Sequence, residues 1–260
     1  MIDANTIPAY LLGYPVSHSK SPLFQNAALR HLKINAVYLT MEIKPEEFDE
    51  VIPALKKIKI LGLNITLPHK KAIMKYADSL SDDAKKIDAV NTIEIDNGNW
   101  VGHNTDWYGV YKTLEDNNIS SKQKVLIIGA GGATSGTIYG LQKYGIKDIS
   151  ITNRTIEKAE ALSKQFSINL IENENYEKKL DDYSFIINTT TLEFDNLIIK
   201  YNIESIYFDL KYYKNKPAIK NYIDGSKMLL YQGAKAFSIW TKQDAPIQIM
   251  SDALAFKDCK

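Results

Sequence analysis

The feature that most constrains this chain is an apolar strand that leads directly into a run of glycines. Residues 125–128 are Val-Leu-Ile-Ile, and the next four residues are Gly129, Ala130, Gly131 and Gly132. A helical pattern follows and continues to Tyr144. A helix N-terminus offers unpaired N–H groups and a positive dipole end, and glycines let the backbone approach a pyrophosphate closely. Strand, glycine turn and helix in this order predict a dinucleotide site at residues 129–133, with Ala133 as a further small member of the turn.

The end of the next predicted strand indicates which dinucleotide binds. An NAD site usually carries an acid there, about 20 residues after the glycine turn, to hold a ribose hydroxyl. This chain instead has Asn153, Arg154 and Thr155. An arginine can stack on adenine and pair with a 2′-phosphate, so the sequence favours NADP. The alternative is a solvated arginine at a helix start, with Thr155 as the N-cap.

Strand-like and helix-like patterns alternate along the whole chain. Before residue 106 they predict strands at 9–13, 37–40 and 63–67, helices after Pro22 and over 45–59 and 71–80, and a hairpin turning at Asn97-Gly98. After it they predict strands at 125–128, 148–152, 185–187 and 205–210 with helices between them. Such alternation is typical of an α/β fold with parallel strands. We therefore expect two domains: residues 1–106, with C-terminal helices at 233–260 packing back on them, and a Rossmann-type NADP-binding domain at 107–232.

Charge and cysteine content exclude several classes of protein. Lys and Arg number 32 against 31 Asp and Glu, and neutralising a nucleic acid requires a basic excess. One cysteine, Cys259, supplies neither a disulfide framework nor a thiolate metal site, and the four histidines do not share a ligand spacing. Residues 1–10 lack the pattern of a signal peptide, and no apolar stretch approaches the roughly 20 residues of a membrane span. We expect a soluble cytoplasmic protein without a metal, bound to neither nucleic acid nor membrane.

Three segments of the first predicted domain carry more polar side chains than a purely structural role would require. Residues 13–22 place hydroxyls in a loop that enters a helix, which suits a small anion such as a carboxylate. Residues 62–70 alternate polar and apolar side chains along a strand and end in a lysine. Residues 91–92 and 104–106 add amides and a carboxylate near the domain boundary.

These segments together resemble the shikimate dehydrogenase family. The resemblance covers almost the whole chain, and its motifs occur in one order: Gly-x-Pro-x-x-His-Ser-x-Ser-Pro, Asn-x-Thr-x-Pro-x-Lys, Val-Asn-Thr, Asn-Thr-Asp, Gly-Ala-Gly-Gly-Ala, Asn-Arg-Thr and Met-Leu-x-x-Gln. It implies an α/β substrate domain and a Rossmann-type domain with a cleft between them. The implied activity is reversible, NADPH-dependent reduction of 3-dehydroshikimate to shikimate in chorismate and aromatic amino-acid biosynthesis.

The resemblance also implies a role for each matching residue. Lys70 and Asp106 match the catalytic pair, Ser19 and Ser21 the hydroxyls that hold the substrate carboxylate, and Tyr212 a helper at that group. The ring hydroxyls would be bound by Asn64, Thr66, Asn91 and Gln232. Cofactor contacts are implied for the glycine turn, for residues 153–155, and for Thr189 and Met228. Reduction of a ketone leaves an alkoxide, which Lys70 could protonate or stabilise as a fixed charge, and the sequence leaves both roles open.

Other interpretations of the sequence remain open. A quinate/shikimate dehydrogenase that uses NAD is the nearest, and a methylenetetrahydrofolate dehydrogenase shares the two-domain plan without the serine loop. A non-catalytic dinucleotide-binding regulator is a different class, for which loss of Lys70 or Asp106 would be expected. The chain also departs from the family after residues 185–187, where Asn-Ala-Thr-x-x-Gly is replaced by Asn188-Thr189-Thr190-Thr191. The oligomeric state, monomer or homodimer, is not determined by the sequence.

Overall fold

The chain forms two compact units in a computed structural model, which describes residues 2–172, 176–192, 204–212 and 219–255. The first unit comprises Met1–Asp106 and Leu229–Lys260, and the second comprises Trp107–Met228. The second unit thus ends before residue 232, where the sequence places its boundary, because Leu230 belongs to a hydrophobic core of the first unit. Cys259 and the end of the predicted 233–260 helical region lie outside the described residues.

The first unit contains a mixed six-stranded sheet. Its strands are β1 (Ile7–Gly13), β2 (Ala36–Glu42), β3 (Gly62–Ile65), β4 (Ser79–Leu80), β5 (Thr92–Asp96) and β6 (Asn99–His103). Their order is β2-β1-β3-β5-β6-β4. Strand β1 pairs in parallel with β2 and β3, whereas β5 pairs antiparallel with both β3 and β6. The predicted Asn97-Gly98 hairpin is confirmed, since both residues have positive φ as a two-residue turn between β5 and β6 requires.

Helices cover both faces of this sheet. They are α1 (Ser21–His31), α2 (Phe48–Leu55), α3 (Asp82–Ile87), α7 (Ser226–Thr241) and α8 (Ile247–Ala255). Successive side chains of a strand point to opposite faces. Accordingly Leu11 packs in a core with α1, α7 and α8, whereas Leu12 packs in a second core with Phe48 of α2 and with Trp100.

Two predicted helices of the first unit differ from the structure. The segment 71–80, predicted as a helix, forms a short 3-10 turn, Ala72–Tyr76, and then β4. It turns toward the sheet because Asp78 N donates to Trp100 O and Asp78 Oδ2 accepts from Trp100 N. The helix predicted over 45–59 starts as a 3-10 turn and ends at Leu55. The chain leaves it to begin pairing with the sheet, where Leu61 N donates to Pro8 O.

The second unit is a parallel six-stranded sheet. Its strands are β7 (Lys124–Ile128), β8 (Asp148–Thr152), β9 (Asn169–Leu170), β10 (Phe185–Asn188), β11 (Ile206–Asp209) and β12 (Tyr222–Ile223). The order is β12-β11-β10-β7-β8-β9, the arrangement of a doubly wound dinucleotide-binding sheet. Its helices are α4 (Asp106–Asp116), α5 (Thr134–Tyr144) and α6 (Ile156–Phe166). The order reverses between β7 and β10, and ligands of such sheets bind beyond the carboxyl ends of the strands at that point.

The predicted α/β fold class is confirmed in both units. Within the described residues, no helix is both long enough and apolar enough to cross a bilayer.

Candidate active site

A largely buried lysine–aspartate pair lies at the centre of the site in the first unit. Lys70 Nζ is 2.6 Å from Asp106 Oδ2, and the two side chains are only 12% and 8% exposed. Lys70 follows β3 in a tight turn, in which His69 N donates to Thr66 O, and its own carbonyl accepts from Val90 N. Asp106 is the first residue of α4, and its N–H donates to Asn104 Oδ1. The backbone of each partner is thus fixed on a different element.

Asn91 joins the pair to the rest of the site. Its Nδ2 is 2.9 Å from Asp106 Oδ1 and 3.0 Å from Thr105 Oγ1, while its Oδ1 accepts from Thr105 N at 2.8 Å. Gln232 of α7 also reaches this group, with Oε1 3.5 Å from Asn91 Nδ2 and 3.4 Å from Thr105 Oγ1. The structure therefore brings together Lys70, Asp106, Asn91 and Gln232 from widely separated parts of the sequence.

Asn64 extends this polar cluster along the sheet. It lies on β3, where its Nδ2 donates to Thr92 Oγ1 at 3.1 Å and to Asn91 O at 3.2 Å. Thr92 Oγ1 in turn donates to Asn91 Oδ1. Thr66 is half-buried just past the end of β3, and its backbone N–H donates to Leu12 O at the neighbouring strand.

The two predicted carboxylate-binding serines lie at the start of α1. Ser21 is buried and Ser19 is half-buried, with Ser19 Oγ accepting from Ser21 N. The loop before them is held by Glu42 at the end of β2, whose Oε1 accepts from Val16 N at 2.9 Å and from Ser17 N at 3.1 Å. The hydroxyl of Ser21 also hydrogen-bonds the phenol of Tyr38.

Three members of this cluster are not predicted as functional residues from the sequence: Tyr38, Thr92 and Thr105. Thr92 and Thr105 lie inside the family motifs, and that neighbourhood is the signal that could have found them. Tyr38 carries no such signal, because a tyrosine on a strand is most often a core residue. Its hydroxyl donates to Asn64 Oδ1 at 2.8 Å.

The glycine turn of the second unit has the shape that a phosphate site needs. Gly129 has φ +118°, and a Cβ there would lie 2.5 Å from Thr189 Oγ1, so only glycine fits. Gly131 is less crowded, since a Cβ at this position would make only an ordinary van der Waals contact with Thr189 O, at 3.8 Å. Ala130 N donates to Asn153 Oδ1 and Gly131 N to Thr134 Oγ1. The N–H groups of Gly132 and Ala133 have no acceptor among the described residues.

The surroundings of the turn also fit a dinucleotide with an extra phosphate. Helix α5 carries no acid in its first turn, so its positive end is not neutralised. Asn153 bridges the turn to Thr155 O, and Thr155 is exposed at the start of α6. Arg154 is exposed and makes no hydrogen bond or ion pair with a described residue. Its guanidinium is thus available to an anionic ligand.

Residues 189–192 follow β10. Thr189 Oγ1 lies 2.8 Å from Thr134 Oγ1 and donates to Ile128 O, while Asn188 Oδ1 accepts from the N–H and the hydroxyl of Thr190. Met228, at the end of the second unit, is buried, and Tyr212 is half-buried after β11. The structure thus places Thr189 against the glycine turn.

Comparisons with known proteins cover nearly the whole sequence. Residues 11–93 match the model of the shikimate dehydrogenase substrate binding domain, 113–210 that of shikimate/quinate 5-dehydrogenase, and 225–255 that of the shikimate 5′-dehydrogenase C-terminal domain. The chain is 38% identical to the NADP⁺ shikimate dehydrogenase of Aquifex aeolicus, over 96% of each chain.

Solved structures agree with the sequence relatives. The crystal structure of the Aquifex aeolicus shikimate dehydrogenase has a TM-score of 0.90 and 37% identity, covering 97% of this chain and 99% of that one. A shikimate dehydrogenase solved in complex with NADP⁺ has a TM-score of 0.87 and 35% identity, covering 100% of this chain and 98% of that one.

Proposed function

The chain belongs to the shikimate dehydrogenase family, and on that premise we propose that it catalyses the reversible, NADPH-dependent reduction of 3-dehydroshikimate to shikimate. This step belongs to chorismate and aromatic amino-acid biosynthesis. The observation that carries the proposal is the buried Lys70–Asp106 pair, with Asn91 and Gln232 converging on it from separate elements. The NADP⁺ dependence of the relatives agrees with it.

Lys70 is the group that acts on the reacting oxygen. The lysine ammonium stabilises negative charge that develops there during reduction and supplies the proton that the product alcohol needs. Asp106 Oδ2 holds the ammonium at 2.6 Å, and Asp106 Oδ1 is itself held by Asn91. Few water molecules compete for these groups because both side chains are largely buried, which strengthens their electrostatic effect.

The remaining polar side chains bind and orient the substrate. Ser19 and Ser21, at the N-terminal end of α1, hold its carboxylate, with Tyr212 as a helper, and the helix end favours negative charge. Asn64, Thr66, Asn91 and Gln232 bind the ring hydroxyls. Hydroxyl and amide groups in fixed positions can discriminate strongly between substrates, because an analogue that lacks one hydroxyl leaves a buried polar group unpaired.

NADP would be held by the second unit. The cofactor supplies hydride to the carbonyl carbon when it is bound. The N–H groups of Gly132 and Ala133 would bind the pyrophosphate at the glycine turn, which also includes Gly129, Ala130 and Gly131. Asn153, Arg154 and Thr155 would hold the adenosine 2′-phosphate, and Thr189 and Met228 would contribute to the cofactor site.

We also propose that the protein works in the cytoplasm on small anionic molecules rather than on nucleic acid. One cysteine in 260 residues and a net charge of +1 support both points. Whether it works as a monomer or a homodimer can be measured by light scattering.

An absorbance assay of the reduced nicotinamide tests the function directly. Shikimate and quinate are each offered with NADP⁺ and with NAD⁺, and we expect the fastest turnover for shikimate with NADP⁺. No turnover of shikimate with either cofactor would refute the proposal. Faster turnover of quinate, or of NAD⁺, would point to the quinate-type alternative and contradict the role given to Arg154.

A further inference from the structure

Tyr38 is a fully buried tyrosine of β2 that lies between two parts of the substrate site. Its side chain hydroxyl donates to Asn64 Oδ1 at 2.8 Å. The side chain of Ser21 lies beside the same phenol and lowers its pKa through a hydrogen bond. Asn64 and Ser21 are proposed to bind opposite ends of the substrate, the ring hydroxyls and the carboxylate. Tyr38 is thus the shared partner of both.

The position of Tyr38 is fixed by a backbone clamp. Asn26 of α1 accepts from Tyr38 N at Oδ1 and donates from Nδ2 to Tyr38 O, each at 2.8 Å. The ring packs in the core near Trp240, with centroids 6.1 Å apart. A phenol held in this way has little freedom to leave its two partners.

The phenol also remains a hydrogen-bond donor throughout the useful pH range. Burial raises the pKa of Tyr38, and the hydrogen bond from Ser21 offsets only part of that rise. A neutral phenol has one proton, which goes to Asn64 Oδ1. This proton therefore decides which end of the Asn64 amide faces β2.

The orientation of the Asn64 amide determines the direction of the next hydrogen bonds in the cluster. With Oδ1 held by Tyr38, the Asn64 amide nitrogen must face Thr92 Oγ1 and Asn91 O. Thr92 Oγ1 accepts there and donates to Asn91 Oδ1, which turns the Asn91 Nδ2 toward Asp106. Every donor in this series from Tyr38 to Asp106 points the same way.

We propose that Tyr38 is a positioning residue for shikimate recognition, which sets the orientation of the Asn64 amide. It acts through Asn64 and touches neither the reacting atoms nor the cofactor. This inference rests on the proposed function and deepens it.

The test is the Tyr38→Phe variant, which removes the hydroxyl and keeps the ring. We expect KM for shikimate to rise by about three- to tenfold, the usual range for one lost hydrogen bond, with a smaller change in kcat. KM for NADP⁺ should stay unchanged, because its site lies in the second unit. The matched control is Tyr10→Phe, a tyrosine of the neighbouring strand β1 whose hydroxyl has no partner among the described residues. We expect no change in either KM for this control.

A double-mutant cycle separates positioning from a general loss of structure. If Tyr38 acts through Asn64, adding Tyr38→Phe to Asn64→Ala should raise KM for shikimate by less than about twofold more. Full additivity, an unchanged KM for shikimate in Tyr38→Phe, or equal losses for shikimate and NADP⁺ would each overturn the inference. Absence of shikimate turnover in the unmodified chain would instead refute the proposed function.

Discussion

Two neighbouring lysines, Lys70 and Lys71, differ sharply in their exposure to solvent. Lys70 and Lys71 each pair with an aspartate, at 2.6 and 2.7 Å, but the Lys70 side chain is 12% exposed and that of Lys71 is 76% exposed. Water screens the outer pair, so it contributes little, whereas the inner pair acts in a poorly solvated site. Only the inner lysine has the surroundings that catalysis requires.

Replacing Lys70 should therefore abolish most of the activity. We expect Lys70→Ala to lower kcat by about two to four orders of magnitude, the usual contribution of a positioned proton donor, with a modest change in KM. Steady-state kinetics with shikimate and NADP⁺ provide the measurement. Lys71→Ala is the matched control and should keep normal kcat. An unchanged kcat in Lys70→Ala would remove this lysine from the mechanism.

Arg154 is a second residue whose role can be isolated. Its guanidinium is exposed and has no partner among the described residues, as expected of a group that binds a phosphate of the cofactor. Arg154→Ala should raise KM for NADP⁺ by about tenfold or more, because charge-assisted hydrogen bonds are lost, and should leave KM for NAD⁺ unchanged. Lys164→Ala, which removes an exposed charge from the helix that follows, α6, is the control. Equal effects on both cofactors would contradict a 2′-phosphate contact.

At the scale of elements, the loops after β7 and β10 depend on each other. In the usual dinucleotide-binding motif, Gly-x-Gly-x-x-Gly, the last glycine stands where this chain has Thr134. The loop after β10 has Thr189 where the family usually has alanine. These two hydroxyls lie 2.8 Å apart, and Thr134 also accepts from Gly131 N. The two departures therefore form one contact, which fixes the glycine turn against its neighbouring loop.

Removing one hydroxyl should loosen the cofactor site without harming the substrate site. We expect Thr189→Val to weaken NADP⁺ binding by about three- to tenfold, measured by calorimetry on the free protein, with KM for shikimate unchanged. Thr189→Ser should restore most of the affinity. Thr191→Val is the matched control, since the Thr191 side chain is exposed and its hydroxyl has no partner among the described residues. Normal NADP⁺ affinity in Thr189→Val would show that the hydroxyl pair is not needed.

At the scale of the whole molecule, the first unit is completed by a segment from the far end of the chain. Trp240 of α7 donates from Nε1 to Ile93 O, and its ring occupies the space that a Cβ on Gly62 would need. Lys242 then forms an ion pair with Glu94 of β5, which is also bonded to His103. The same helix carries Gln232 into the site, so folding of the unit and assembly of the site require both segments.

The Glu94 cluster should make stability depend on pH. Burial opposes the charge on Glu94, but the hydrogen bonds from Lys242 and His103 together outweigh it and lower the pKa of its carboxyl. A carboxyl whose pKa is lower in the folded state than in the unfolded chain stabilises the fold. This contribution is fully present when the pH is above the ordinary carboxyl pKa of about 4.3, and it is lost as the pH falls through the lower pKa of the folded state.

Glu94→Gln should therefore be less stable than the unmodified chain at neutral pH, by about 1 kcal/mol, because the exposed Lys242 is partly screened. The two free energies of unfolding should converge as the pH falls below about 4. Urea denaturation across this pH range measures both. Asp96→Asn, which changes an exposed acid on the same strand, is the control. Its free energy of unfolding should change with pH in the same way as that of the unmodified chain. A constant difference at all pH values would exclude Glu94 as the titrating group.

Much of the fold and the site could be predicted from the sequence. The glycine turn after β7, the Asn97-Gly98 hairpin and the alternation of strands and helices were predicted correctly, because each rests on residues close together in the chain. Segment 71–80 was predicted wrongly as a helix, because Asp78 pairs with Trp100, which no local pattern shows. The site residues came from the order of motifs, and their roles remain predictions.

By itself the sequence determined the fold class and the family and predicted the residues that carry the chemistry, since periodicity, turn residues and motifs are local properties of a chain. Only the tertiary structure decided which of two adjacent lysines is largely buried, that Tyr38 donates to Asn64, and that Thr134 meets Thr189. Those contacts join residues far apart in the sequence. Their formation depends on how strands and helices pack, because burial and partnership are properties of the folded molecule.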